Sequence, residues 1–324
     1  MTIQSLTRRM LISVVLGVVV IFVLSVSADF PRLLKVLAGF NWDAVPLILG
    51  LTLMNYLLRF VKWHYYLRVV GIANVPIRLS AVIFVAGLSM VITPGKVGEL
   101  LKSYLLRIER GTPIGTSAPI IVAERLTDGV AMLLLASVGL VLYRVGWEML
   151  LAVLVVLLAV VVISQHAGST QRIIRLAERL PIVSTRVHHL EAAVTSAQEL
   201  FRLPNLLFAV GLGVISWGGE AAAFYFVLTS LGLNPSPILA VQAAFILASA
   251  TLVGAASMLP GGLAAAEGSL AGLLLLLGVT HDPSVAAAAT LLIRFATLWL
   301  GVAVGLIGLA IAAHQVQNVE LASA

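Results

Sequence analysis

Nine charged side chains stand inside otherwise apolar stretches of this sequence: Lys96, Glu99, Lys102, Glu124, Arg125, Asp128, Glu220, Glu267 and Arg294. In hydrocarbon each costs roughly 2.5 to 3.5 kcal/mol on insertion scales, so each is expected to face a wet or paired interior. Two kinds of chemistry suit them. Lysine, and above all the rigid fork of arginine, can hold an anion such as phosphate. Carboxylates can neutralise those cations when a site is empty, engage a cationic group, or carry protons. The bland arrangement is structural ion pairing, of Glu99 or Asp128 with Arg125 and of Glu267 with Arg294. Glu124 and Asp128, one turn apart on one face, fit a structural and a functional role equally well. Lys102, near the mouth of a hairpin, is expected to snorkel.

Two breaks in the apolar pattern set the depth of these groups. One is Thr93-Pro94-Gly95-Lys96-Val97-Gly98-Glu99, and a looser echo is Leu259-Pro260-Gly261-Gly262-Leu263-Ala264-Ala265-Ala266-Glu267. In each, an apolar run ends at Pro-Gly and a helical run restarts that carries a Glu within its first two turns. Proline suits the first helical position, so the restart is expected there. A helix N-terminus offers unpaired N–H groups and a partial positive charge to an anion. Gly95, Gly261 and Gly262 are therefore candidate backbone contacts, with Thr93, Pro94 and Pro260 as the tips. Lys96, Arg125 and Arg294 are assigned to function, because all three should meet two such helix N-termini at one depth.

The elements that must position these groups are membrane helices. Hydrophobic residues make up 60% of the 324 residues and charged residues 10%, and the mean hydropathy is +1.09; these values lie far outside the range of a soluble domain. Met10 to Ala28 runs 19 residues without charge, about 28 Å of helix and so roughly a bilayer core. It is read as a retained span rather than a signal peptide. The expected organisation is all-α and polytopic, with about six full spans and two hairpins. Residues 1–43 hold the first span and an outer loop. Residues 44–143 form a first repeat with a re-entrant hairpin at 79–107, and 144–204 a connecting span and a basic amphipathic linker. Residues 205–313 form a second repeat with a re-entrant hairpin at 238–278, and 314–324 a tail.

Within that frame the second span is expected from Ala44 to about Leu58, with Arg59 and Lys62 snorkelling and Trp63, Tyr65 and Tyr66 in an interfacial belt. Broken backbone at membrane depth is tolerable only where it is buried or lines a cavity. Both halves follow one plan of span, broken hairpin and span with a central arginine. If each hairpin returns to the face it entered from, crossings fall at 10–28, 44–58, 114–143, 147–164, 205–231 and 284–311. Thirteen cations then lie on one face and three on the other, which places both termini and the 165–204 linker in the cytoplasm. The hairpins consequently enter from opposite sides, as in inverted-repeat transporters. Ile238 to Met258 is also long enough to span fully, which would change only the depth of the second tip.

Residues Pro94 to Leu106 and Pro260 to Leu276, with Glu124-Arg125-Leu126-Thr127-Asp128 and Arg294, resemble the lysylphosphatidylglycerol synthase transmembrane-region family, also called flippase-like membrane proteins. The resemblance runs from about Ala44 to Ile311. It implies an integral inner-membrane protein that moves, or helps to move, lipids with polar headgroups between leaflets, including aminoacylated phosphatidylglycerol and polyprenyl-linked sugars. Long members carry a soluble aminoacyltransferase domain, which these 324 residues do not hold, so lysyl transfer is not expected. The second tip departs from the first by lacking a lysine and placing its Glu later.

Other chemistries find no motif. There is no cysteine, which excludes thiolate catalysis and Cys-ligated zinc. The adjacent His188 and His189 lack carboxylate ligands at metal spacing. No nucleophile elbow, P-loop or dinucleotide fingerprint appears. The net charge of +6 reflects cations flanking spans rather than nucleic-acid binding. The expectation is a non-enzymatic lipid flippase or scramblase without cofactor or metal, taking an anionic headgroup on Lys96, Arg125, Arg294 and the two hairpin N-termini. Glu99, Glu124, Asp128, Glu220 and Glu267 would serve as charge partners or proton carriers. The alternative is an accessory subunit that presents a lipid-linked substrate to a partner glycosyltransferase or synthase, a role that the basic linker would suit.

Overall fold

The computed structural model describes residues 29–93, 98–143 and 187–323, with isolated helical positions at 151, 154, 155, 158, 159 and 162. Regular structure among them is wholly helical: α1 (Phe30–Ala38), α2 (Val45–Val69), α3 (Ile77–Leu88), α4 (Leu101–Arg110), α5 (Ile114–Tyr143), α6 (Val187–Leu200), α7 (Leu203–Ser230), α8 (Pro237–Ala256), α9 (Ala265–Leu276), α10 (Pro283–Arg294) and α11 (Leu300–Ser323). Short 3₁₀ turns lie at Trp42–Ala44, Ser89–Ile92 and Pro260–Gly262, and a π-helical turn at Phe295–Trp299. Trp42–Val69, Leu203–Ser230, Pro237–Ala256 and Pro283–His314 are each long and apolar enough to cross a membrane. The protein is an all-α, polytopic membrane protein. The span expected at 10–28, the tip residues Pro94, Gly95 and Lys96, most of the 147–164 crossing and the basic helix around Arg172 to Leu180 lie outside the described residues.

Local chemistry sets the helix starts. Pro31, Pro46, Pro204, Pro237 and Pro283 each occupy the first turn of α1, α2, α7, α8 and α10, where a fixed φ is pre-organised and no N–H is missed. Ser236 and Asp282 cap α8 and α10 by accepting from the N–H groups of Leu239, at 3.1 Å, and Ser284, at 2.9 Å.

Several expectations are corrected. The stretch 29–43, expected as a loop, contains α1, which docks Leu33 on Ala287 and Ala288 of α10, with Arg32 paired to Asp282 at 2.9 Å. A nine-residue helix is too short to hold itself, so docking rather than propensity stabilises it. The second span does not end near Leu58 but runs to Val69. Lys62, Trp63 and Tyr66 are buried there instead of reaching an interface, because Asp128 gives Lys62 a partner inside the protein. At the second break the helix does not restart at Pro260: Gly261 (φ 61°), Gly262 (φ 67°) and Ala264 (φ 69°) are left-handed, a conformation that cannot continue a right-handed helix, and α9 begins at Ala265. The end of the polar linker is the packed helix α6, which lies against α5 and leads into the buried Phe201.

The packing is reciprocal. Helices α2 and α7 lie along each other, joined where Asn55 Nδ2 donates to the Ser216 carbonyl at 3.1 Å and Ser216 Oγ donates to the Asn55 carbonyl at 3.3 Å. Helix α3 packs on α11, and α8 packs on α5. In the first contact Gly305 and Gly308 leave no room for a side chain against Ser89, Val85 and Ala86, and in the second Gly139 abuts the Phe245 ring. The Ser89–Ile92 turn rests against the Pro260–Gly262 turn. The apolar core accordingly has two large parts, one around α7 and α8 and one around α2, α3 and α4. Between them sits a small cluster of Ile92, Leu263, Leu298 and Val302.

Candidate functional site

The second break and part of the charge meet at one cavity of about 90 Å³. Arg59 of α2, Arg125 of α5 and Arg294 of α10 line it, with Tyr56, Trp217, Glu220 and the backbone of Gly261 and Gly262. Arg294 donates from Nε to Glu267 Oε1 at 2.6 Å and from Nη2 to the Gly261 carbonyl at 2.9 Å. One face of its fork is thereby fixed to the first turn of α9 and to the broken turn before it. Just after Arg294 the helix widens into the π turn, a departure from regular hydrogen bonding that often accompanies functional sites. The Tyr56 hydroxyl donates to the Thr297 carbonyl within that turn.

Arg125 is held in the same way from the first half. Its Nε lies 3.3 Å from Glu99 Oε2 and its Nη2 3.7 Å from Asp128 Oδ2. Asp128 is a hub, with Lys62 Nζ at 2.6 Å and Arg59 Nε at 4.0 Å. Arg59 also lies over the Trp217 ring, 5.9 Å from its centre.

Exposure sorts the two signs of charge. The side chains of Arg125, Arg294 and Arg59 are 24%, 15% and 11% accessible, while Glu99, Asp128 and Glu267 are 2%, 4% and 5% accessible. The three guanidinium groups face the cavity and their carboxylates stand behind them, outside its lining. Such an arrangement offers unsatisfied donor capacity and positive potential to whatever occupies the cavity, as an anion requires. Glu220 is the one carboxylate in the lining. It is buried, and among the described residues it has no hydrogen-bond donor and no cation within 4 Å.

Of the residues singled out from the sequence, Arg125, Arg294, Gly261, Gly262 and Glu220 come together in the lining, and Glu99, Asp128 and Glu267 in the layer behind. Glu124 does not line the cavity; it pairs with Lys102 Nζ at 2.5 Å. Lys102 is buried with its ammonium 4.4 Å from the Trp63 ring centre, so it does not snorkel. Its charge is met by Glu124 and an aromatic face, and water is not needed. Thr93 ties together the described residues on either side of the first break, its hydroxyl accepting from the Gly98 N–H at 2.9 Å and donating to the Met90 carbonyl at 2.7 Å. Pro260 shapes the second turn without lining the cavity.

Arg59, Tyr56 and Trp217 line the cavity and Lys62 stands behind it, and sequence reasoning assigned none of them to the site. The signal was present in α2. Thr52, Asn55, Tyr56, Arg59, Lys62, Trp63 and Tyr66 recur every three or four residues, a polar stripe that in a membrane helix must turn inward. Ending the span at Leu58 cut that stripe in two.

The fold and this site define a helical membrane protein with a cationic cavity beside a broken helical segment. The chain belongs to the family described as the lysylphosphatidylglycerol synthase TM region, whose family model matches residues 10–305. Three UPF0104 membrane proteins of Methanothermobacter thermautotrophicus are similar to it. One is 24% identical over 314 residues, covering 86% of this chain and 87% of the relative. A second is 29% identical over 230 residues, covering 64% and 67%, and a third is 26% identical over 309 residues, covering 90% of each.

Proposed function

We propose that this protein moves a lipid with an anionic, phosphate-bearing headgroup between the leaflets of the cell's inner membrane, without making or breaking covalent bonds. The headgroup binds in the cavity and the acyl or prenyl tails stay in the bilayer. The observation that carries this reading is the sorting of charge at the cavity, three guanidinium groups in front and their carboxylates behind. Family membership supports a lipid as the bearer of the anion, which includes aminoacylated, glycosylated and polyprenyl phosphate headgroups.

The mechanism follows from a two-repeat architecture, which is part of the same proposal. The first repeat is α2 to α5 and the second α7 to α11, inverted in the membrane, with re-entrant hairpins α3–α4 and α8–α9 and both termini in the cytoplasm. The reciprocal packing supports it: α2 meets α7, the hairpin limb of each half packs on the long helix of the other, and the two broken turns touch. The pair Arg125–Glu99 in one half answers Arg294–Glu267 in the other. Rocking of one repeat against the other would open the shared cavity to either leaflet in turn.

The test is transfer of a fluorescent phosphatidylglycerol in liposomes holding the purified protein. The double variant Arg125→Gln, Arg294→Gln should fold, by its elution profile in detergent, and lose transfer. Normal transfer by that variant would remove the cavity from the mechanism. An inactive wild-type protein that co-purifies stoichiometrically with a glycosyltransferase or synthase would overturn transport in favour of a presenting role.

A further inference from the structure

Among the described residues, every buried or half-buried cation around the cavity has a carboxylate assigned to it by distance. Lys62 and Arg59 share Asp128, Arg125 takes Glu99 and Asp128, Lys102 takes Glu124, and Arg294 takes Glu267. Glu220 is left over. It stands in the lining with its side chain buried and, among the described residues, without an ion-pair or hydrogen-bond partner.

The groups facing it can be named from each helix that packs on α7; the Trp42–Ala44 turn, with Asp43 exposed, also packs on α7, and the preceding Asn41 N–H donates to the Ser230 carbonyl at 3.0 Å at the end of that helix. Tyr56 and Arg59 come from α2, Arg125 from α5 with Asp128 behind it, and Arg294 from α10 with Glu267 behind it. Helix α8 contributes Leu247, Ala250 and Thr251 and has no titratable residue. Helix α6 meets α7 at the other end, where Asn205 Nδ2 donates to the Glu199 carbonyl at 2.7 Å. Glu220 therefore shares the three guanidinium groups with the cavity's occupant and owns none of them.

That position has a consequence for binding. With all of them ionised, the described buried and half-buried groups around the cavity comprise five cations (Arg59, Lys62, Lys102, Arg125, Arg294) and five carboxylates (Glu99, Glu124, Asp128, Glu220, Glu267). A phosphate monoanion entering the cavity adds one negative charge beside Glu220 in a medium that screens poorly. Two anions at such a site cannot both stay ionised at low cost. The other four carboxylates are held by cations at short range, so the compensating proton goes to the one without such a partner.

We propose that Glu220 is the proton-coupling residue of the site: it binds one proton from water as the anionic headgroup binds, releases it as the headgroup leaves, and so makes lipid and proton cross together. This rests on the transport reading above and specifies its energy coupling and its charge balance. Headgroup anion and proton cancel, transfer carries no net charge, and a proton gradient drives it in the direction in which protons flow. Binding is favoured as pH falls, by up to about tenfold per pH unit where one proton is taken up.

The experiment is calorimetric titration of the purified protein with dihexanoyl phosphatidylglycerol at neutral pH, in PIPES and again in imidazole. The difference in heat between buffers of unlike ionisation enthalpy gives the protons taken up per lipid. The wild-type protein should take up about one, Glu220→Asp should retain that uptake, and Glu220→Gln should bind lipid with none. Wild-type binding without proton uptake, or undiminished uptake in Glu220→Gln, would overturn the assignment and leave the transport reading standing. Absence of wild-type binding, together with absence of liposome transfer, would remove the transport reading and this assignment with it. A merely structural Glu220 would change affinity or stability and leave the proton count alone.

Discussion

At the scale of single residues the protein solves one problem repeatedly, that of keeping a charge inside the membrane. Asp128 shows it most clearly, because it serves Lys62 at 2.6 Å and stands within 4.0 Å of both Arg59 and Arg125. Removing one partner of a buried ion pair leaves the other charge uncompensated, whereas replacing both with apolar residues is close to neutral. Asp128→Ala should therefore lower stability by about 3–5 kcal/mol, measured by denaturation in detergent. The double variant Lys62→Met, Asp128→Leu should recover only the part of the loss due to Lys62, since Arg59 still lacks its carboxylate. A single variant as stable as the wild type would show that Lys62 reaches water by another route. The same logic separates Lys102–Glu124, a closed pair under Trp63, from Arg125 and Arg294. The latter keep part of their forks turned to the cavity.

At the scale of elements the second break is the informative one. Its geometry depends on a left-handed Gly262, whose α-carbon lies so near α8 that a Cβ there would stand 3.0–3.1 Å from the Gly254 backbone. Gly262→Ala meets both the unfavourable φ and that backbone, so it should cost about 1–3 kcal/mol. Gly268→Ala, in α9 with open space around it, should be neutral or stabilise by about 0.5–1 kcal/mol. Thermal melts of the two variants check the contrast, and equal melting temperatures would mean that the turn is free to rearrange. The turn also matters to the site, because its Gly261 carbonyl is one of the two acceptors that orient Arg294.

At the scale of the whole molecule the exchange of packing partners between halves is the feature to test. Gly308→Ala would set a Cβ 2.8 Å from the Ala86 backbone in the α3–α11 contact, and Gly139→Ala one in overlap with the Phe245 side chain in the α5–α8 contact. Each should cost about 1–3 kcal/mol, read from thermal melts. Two variants as stable as the wild type would exclude reciprocal packing, and with it the two-repeat architecture.

Much of this was legible in the chain itself. Composition alone requires helices and a membrane, since 60% hydrophobic residues leave no other solvent for so much apolar surface. Prolines mark most helix starts, and the pairings of Arg125 with Glu99 and of Arg294 with Glu267 follow from the cost of isolated charge in hydrocarbon. The docking of α1 was not legible, because nine residues carry too little periodicity to stand out. Nor was the burial of Lys62 and Lys102, because an amphipathic side chain near a helix end has two ways to escape hydrocarbon, upward to water or sideways to a carboxylate. Sequence fixes the need for a partner but not its direction. Only the tertiary structure decides that, by bringing Asp128 and Glu124 within reach, and only it gathers Arg59, Arg125 and Arg294 from three helices around one cavity while leaving Glu220, among the described residues, without a cation of its own.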